Sequence, residues 1–230
     1  NLLPAVSHEL KTPLTSISGV ASVLASQPDM PVENRQRLLR EIADDSEWLI
    51  RMVENLLSIT RINAQPANLY KNSEAAEEII SEAVRKFRKR FPEMPVEIAL
   101  PEDLLLVPMD PILIEQVLGN LMENAVLHAQ TATRIQVRLT QEGDSAVFEV
   151  SDDGVGVEPK RLKEIFDAVS TSDDGRGMGI GLSVCKAIIL AHGGDIEASN
   201  RAGGGACFRF RLPMKEENHE SDDYAADCRG

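Results

Sequence analysis

The chain has 230 residues, of which 43% are apolar, and this is enough for a sizeable core; no apolar run approaches 18 residues, so none reads as a membrane span. A formal charge of −13 argues against nonspecific binding to nucleic acid or anionic membrane, although one local site can still take a nucleotide. Cys185, Cys207 and Cys228 lie far apart without metal-ligand spacing, which points to reduced thiols in a cytoplasmic setting.

The chain opens without Met on the already apolar "NLLPAVSHEL", so it reads as an excised piece. Any membrane attachment would then come through missing parts of a parent protein. Leu3, Val6, Leu10, Leu14, Ile17 and Leu24 follow helical spacing, and "SQPDMP" (Ser26–Pro31) interrupts it with two prolines. A second run, Leu38, Ile42, Asp45, Trp48, Leu49, Met52, Leu56 and Ile59, is near heptad. Residues 1–65 are therefore expected to form a helical hairpin. A lone hairpin leaves an apolar stripe on each helix, and two copies in a four-helix bundle would bury both. The expectation is a homodimer; the alternative is that the hairpin packs on the rest of its own chain.

Residues 66–73 read as a polar linker. Beyond it, residues 74–213 change texture. Glu74–Phe91 is expected to be an amphipathic helix, and "VEIAL" and "LLLVPMD" short strands. Asp110–Ala129 is a helix with Asp110 as N-cap and Pro111 at its first position. "RIQVRLTQEGDSAVFEVSDDG" alternates around "EGDS" as a hairpin does. "EPKRLKEIF" is expected to be a short helix, Gly181–His192 another, and "DIEASNRAGGGACFRFRLP" a closing hairpin. The fold class is α+β: a helical hairpin, then an α/β sandwich with helices on one face of a largely antiparallel sheet. Residues 214–230 read as a disordered acidic tail.

Four stretches carry chemistry. In "SHELKTPLTSISG", His8 is flanked by Glu9, followed one turn on by Thr12, and then by Pro13. Pro13 cannot donate to the carbonyl of Glu9, so a kink or hinge is expected beside the histidine. In "EQVLGNLMENAVLHA", Asn120 and Asn124 share a helix face, and His128 continues the stripe. Amide oxygens suit a Mg²⁺ already bound to phosphates. In "SDDGVGV", a tight turn after a strand carries Asp152, Gly154 and Gly156, where backbone can approach a flat ligand. In "DDGRGMGIGLSVCKAII", Gly175, Gly177, Gly179 and Gly181 alternate before a helix start, a ready anion site. No Walker A lysine and no Rossmann fingerprint occurs, and "HELKT" lacks the second His of a zinc hydrolase.

In this order the four stretches resemble the sensor histidine kinases. "SHELKTPL" resembles their H box, "NLMENAVLHA" the N box, "DDGVG" the G1 box, "IFDAVS" a reduced F box and "GRGMGIGL" the G2 box. The closing "HGGDIEASNRAGGGACFRFRLP" is most similar to the KdpD-type, osmosensitive potassium-sensing branch. The resemblance implies a dimeric phosphotransfer hairpin followed by an ATP-binding sandwich of the gyrase–Hsp90–histidine kinase–MutL type. It implies ATP and Mg²⁺, and a response regulator receiver domain as partner. His8 would be the phospho-acceptor and Glu9 its base or orienting acid. Asn124 would be the principal Mg²⁺ ligand, supported by Asn120. Asp152 would read the adenine amine, with Gly154 and Gly156 shaping the pocket. Gly177, Gly179, Gly181 and Leu182 would line the phosphate site, with Arg176 or His128 supplying the cation that Leu127 removes from the N box. Ala206 stands where Thr or Ser is common.

The phosphoryl chemistry needs an in-line nucleophile, charge neutralisation and positioning. A neutral imidazole supplies the first near pH 7. Thr12, on the face of His8, suggests a phosphatase role towards a docked phospho-Asp; the bland reading is a hydroxyl bonded back to its own helix. A catalytically weak ATP-binding scaffold is the competing function. An ATP-driven chaperone or repair clamp would share the nucleotide fold but has no use for "HELKTPL".

Overall fold

The computed structural model describes residues 2–64, 71–129, 131–166 and 180–215, with the side chains of residues 2–9, 63, 64, 128 and 180 left out. The chain divides into two compact units, Asn1–Thr60 and Arg61–Gly230.

The first unit is the expected pair of helices, α1 (Leu2–Ser26) and α2 (Val32–Ala64). Between them, Gln27 N–H donates to the Val23 carbonyl and Met30 N–H to that of Gln27, so the chain turns at the proline-rich break. α1 continues past Pro13 rather than ending there, and Pro13 is buried. The Thr15 hydroxyl donates to the Lys11 carbonyl at 2.8 Å on that turn. On α2 the near-heptad positions are the less exposed, with Met52 fully buried. One residue further on, Leu39, Ile50, Val53 and Leu57 form a second apolar stripe that the unit leaves exposed.

The second unit holds a five-stranded sheet in the order β2-β4-β5-β7-β6 and a two-stranded sheet, β1-β3. The strands are β1 (Asn72–Ala75), β2 (Val96–Ala99), β3 (Leu106–Met109), β4 (Ile135–Glu142), β5 (Ser145–Asp152), β6 (Asp195–Asn200) and β7 (Ala206–Pro213). The sheet is mixed: β2 runs parallel to β4, and the other pairings are antiparallel. Period-two patterning aims Leu139, Phe148 and Phe210 at one face in register. Phe148 and Phe210 stack with centroids 4.6 Å apart.

Three helices supply the rest of the core: α3 (Ala76–Arg90), α4 (Pro111–His128) and α5 (Ile180–Ala191). α3 opens with Glu77 and Glu78 and closes with Arg88, Lys89 and Arg90, which complements its dipole. It buries Ile80, Ala83, Val84 and Phe87 along one stripe. α4 is buried over a wider face than α3, through Leu113, Ile114, Val117, Leu118, Leu121 and Met122, because α3 and α5 both pack against it. Asp110 caps it as expected, its carboxylate accepting from Ile112 and Leu113 N–H.

Two expectations need correction. "EPKRLKEIF" is not a helix: Arg161 N–H reaches the Glu158 carbonyl and Glu164 N–H that of Arg161, and the segment is a series of turns. The segment is too short to nucleate a helix by itself. Secondly, β1 takes in Asn72 and Ser73 from the expected linker and Glu74 and Ala75 from the expected helix. "NSEA" has no β-branched residue; its strand form comes from pairing with β3.

Candidate active site

α4 is the spine of the site. His192, 1% exposed just after α5, ties the two helices together. Its Nδ1–H donates to the Ile188 carbonyl at 2.7 Å and its Nε2 accepts from Asp110 N–H at 3.0 Å, so the ring is neutral with a defined tautomer. Burial, above all, holds its pKa below the ordinary histidine value.

About three turns of α4 later the Asn residues begin. Asn120 and Asn124 are both half-buried. The Asn120 amide lies 3.5 Å from the Gly181 carbonyl in the first turn of α5. Beneath it, Cys185 is fully buried, with its thiol reaching towards the Val117 carbonyl. Burial pushes that thiol up to about 12, which keeps it protonated and inert. The middle of α4 therefore meets the start of α5, and a helix start offers its first N–H groups to an anion. Leu182 is buried in that first turn. Among the described residues, a Cβ on Gly181 would find its nearest neighbour at 3.9 Å, the Asn120 side chain.

The end of α4 meets the Asp152–Val157 turn. A Cβ on Gly154 would stand 2.4 Å from the Ala129 carbonyl oxygen, so only glycine fits. Val155 N–H donates to that same carbonyl at 3.3 Å. Asp152 is 3% exposed, and its Oδ1 accepts from Gly154 N–H at 2.9 Å and Ala206 N–H at 3.3 Å. Gly156 adopts φ +77 and is the second glycine the turn requires. Asp153 faces the other way: its carboxylate accepts from the Thr133 hydroxyl and from Thr133 and Arg134 N–H. Those bonds, that from the Thr133 hydroxyl foremost, hold its pKa at about 2.

The structure thus brings Asn120, Asn124, Asp152, Gly154, Gly156, Gly181 and Leu182 onto elements that meet along α4. His128 is the last residue of α4, and its side chain lies outside the described residues. Arg176, Gly177 and Gly179 also lie outside them, as does the F-box stretch after Phe166. In the first unit, His8 and Glu9 sit within α1, their side chains not described, and Thr12 follows one turn later, exposed.

Several residues escaped the reading of the sequence. Asp153, Thr133, Asn200, Arg201 and Gly205 all shape the Asp152 turn. The run of three glycines at 203–205 was the available signal, since it marks a hairpin able to approach another backbone closely.

The donor set fits the groups that the resemblance implies. Amide oxygens on one face of α4 suit a hard cation carried in with a triphosphate, and the glycine-lined turn leaves backbone open to a flat base. Comparison with known proteins agrees. Residues 1–65 match the His Kinase A (phospho-acceptor) domain, and residues 109–216 the histidine kinase-, DNA gyrase B-, and HSP90-like ATPase. Sensor protein KdpD of Clostridium acetobutylicum is 41% identical over 221 residues, covering 94% of this chain and 25% of that protein. Sensor protein KdpD of Escherichia coli K12 is 37% identical over 227 residues, covering 95% and 25%. The chain thus spans about a quarter of the length of these relatives. Among solved structures, histidine kinase ThkA in complex with the response regulator TrrA superposes with a TM-score of 0.71 at 24% identity, over 93% of this chain and 61% of that one. With the phospho-acceptor and ATPase modules both matched, in the order that the motifs require, the chain belongs to the sensor histidine kinases, and KdpD proteins are among its relatives.

Proposed function

We propose that the chain uses ATP to phosphorylate His8 and passes the phosphoryl group to an Asp of a response regulator receiver domain. The observation that carries this reading is the meeting of two elements along α4: the Asp152 turn at its end, and the first turn of α5 beside Asn120. Asp152 Oδ1 is taken by two backbone N–H groups, so Oδ2 reads the adenine amine. Asn124, supported by Asn120, would hold Mg²⁺, which when bound neutralises charge on the triphosphate. His8 attacks the γ-phosphorus through a neutral ring nitrogen, the bond to the bridging oxygen breaks, and ADP leaves. Glu9 takes or orients the other ring proton.

Residues 1–65 form the dimerisation and phosphotransfer module, with the exposed stripe Leu39, Ile50, Val53 and Leu57 available to a second copy. Residues 74–213 form the ATP-binding module. The receiver partner is supported by ThkA, solved with TrrA. Among the described residues no helix is long and apolar enough to cross a membrane. We assign the module to the cytoplasm as part of a longer, membrane-anchored sensor, as its KdpD relatives suggest.

Incubation with γ-labelled ATP tests the reading. Acid-labile, base-stable label on wild type and none on His8→Gln is the expected result. ATP binding without any label would replace it with the scaffold reading. The exposed Thr12 is assigned a phosphatase role towards the docked receiver. Thr12→Ala should slow loss of label from a phosphorylated receiver, and an unchanged rate refutes that part alone.

A further inference from the structure

The Asp152–Val157 turn cannot hold its own shape. It has two glycines, a strongly exposed Val155 and no regular ladder beyond β5. Its form must be imposed by neighbours, and the β6–β7 hairpin is one of them. The Asn200 side chain pairs with one residue at the end of the turn as a strand would: Oδ1 accepts from Val157 N–H at 2.8 Å, and Nδ2 donates to the Val157 carbonyl at 2.6 Å. A Cβ on Gly156 would meet Asn200 Oδ1 at 2.7 Å, so amide and turn are in direct contact. Next along, the Arg201 guanidinium donates to the Asp152 carbonyl at 3.0 Å. Arg201 also closes its own hairpin: its N–H donates to the Gly205 carbonyl and its carbonyl accepts from Gly204 N–H. Gly205, at φ +89, lies so close that a Cβ there would come within 2.0 Å of the Asp152 carbonyl oxygen.

Asp152 is thus gripped at two points by one hairpin. Arg201 fixes its carbonyl, Ala206 N–H fixes its Oδ1, and Asn200 fixes the far end of the turn. The direction of the free carboxylate oxygen follows from those three contacts. On the nucleotide reading given above, that oxygen is the acceptor for the exocyclic amine of adenine. We infer that Asn200 and Arg201 are positioning residues for base recognition: they touch no ligand themselves, and they set the angle at which Asp152 meets the base. A hydrogen bond to a base amine loses most of its strength when its acceptor swings away from the donor axis. Contacts to the triphosphate, made by other elements, are not affected by that swing.

The test compares binding of ATP and of purine riboside 5′-triphosphate, which lacks the amine, to the full chain by calorimetry. Wild type should prefer ATP by roughly tenfold, the worth of one well-placed, charge-assisted hydrogen bond. Asn200→Ala and Arg201→Ala should each weaken ATP several-fold and the amine-free analogue little, so the preference collapses. Arg201→Lys, which keeps a donor for the Asp152 carbonyl, should retain most of it. Asn200→Asp should behave like Asn200→Ala, because a carboxylate oxygen would face the Val157 carbonyl. Variants that keep the wild-type ratio, or that lose both triphosphates equally, overturn the inference while leaving ATP binding in place. A wild type that binds neither triphosphate, or does not distinguish them, refutes the nucleotide reading of Asp152 and this inference with it.

Discussion

Replacing Gly154 with alanine tests the central joint of the second unit. The new Cβ would lie 2.4 Å from the Ala129 carbonyl oxygen and 2.6 Å from the Ala129 Cβ, where ordinary contact begins near 3.4 Å. The turn and the end of α4 must therefore separate by about 1 Å, and the nearest atom is backbone rather than a flexible side-chain tip. Overpacking of this kind costs about 1–3 kcal/mol. The separation also stretches the 3.3 Å bond from Val155 N–H to Ala129, worth about another 1 kcal/mol. A loss of about 2–4 kcal/mol is expected, together with weaker ATP binding because Asp152 moves with the turn. Urea unfolding can localise the effect, since the only Trp, Trp48, lies on α2 in the first unit. Far-UV circular dichroism should show an earlier transition for the second unit, while the Trp48 transition stays in place. A change below about 0.5 kcal/mol with unaltered nucleotide affinity would refute the packing argument.

Gly119 gives the opposite case: it sits inside α4 with nothing within 4 Å of the point where a methyl would stand, so Gly119→Ala should stabilise the second unit by about 1 kcal/mol, read from the same urea transition. His192 predicts an acid-side loss. Its folded pKa lies below 6.5, so the folded unit resists the proton that the unfolded chain accepts, and stability present above pH 6.5 is lost as pH falls below it. A protonated Nε2 can no longer accept from Asp110 N–H; the other charged groups facing the ring are Lys71, which opposes protonation, and the Asp110 carboxylate, which favours it. Between pH 7 and 5.5, wild type should therefore lose more stability than His192→Gln, and equal losses would refute the assignment.

What the sequence revealed depended on how local each cause was. The α4 start was legible because Asp110 and Pro111 act within one turn. The β4–β5 hairpin was legible because alternation and "EGDS" sit side by side. β1 was not, because nothing in "NSEA" favours a strand until Leu106 lies opposite Ala75. "EPKRLKEIF" misled in the reverse direction, offering helical spacing to a segment whose short length works against a helix. At the site, Asn120, Asp152 and the glycines stood out as residue types with a chemical use. Their supports did not: Asn200 lies 43 positions from Val157, and an Asn in a hairpin looks like any other turn residue. His192 likewise reads as a helix end until Asp110 arrives from 82 positions away.

The charge of −13 was equally silent about where charge matters, and the sheet register explains why. On the face away from the Phe148–Phe210 stack, Arg138, Glu149, Arg209 and Glu197 fall directly opposite one another across β4, β5, β7 and β6. Signs alternate along the row, with Arg209 within 3.7 Å of Glu149 and 3.8 Å of Glu197, and Arg211 adds bridges to Asp195 and Glu197. Each such surface pair contributes only about 0–1 kcal/mol. Their greater effect is on register: a slip by one residue would send every charge to the core face and every phenylalanine to water. That register places Asp152 opposite Ile135 at the end of β5, and β7 begins with Ala206 beside it. The row of paired charges therefore acts on function indirectly. It fixes the strand alignment that delivers the Ala206 N–H to the Asp152 carboxylate.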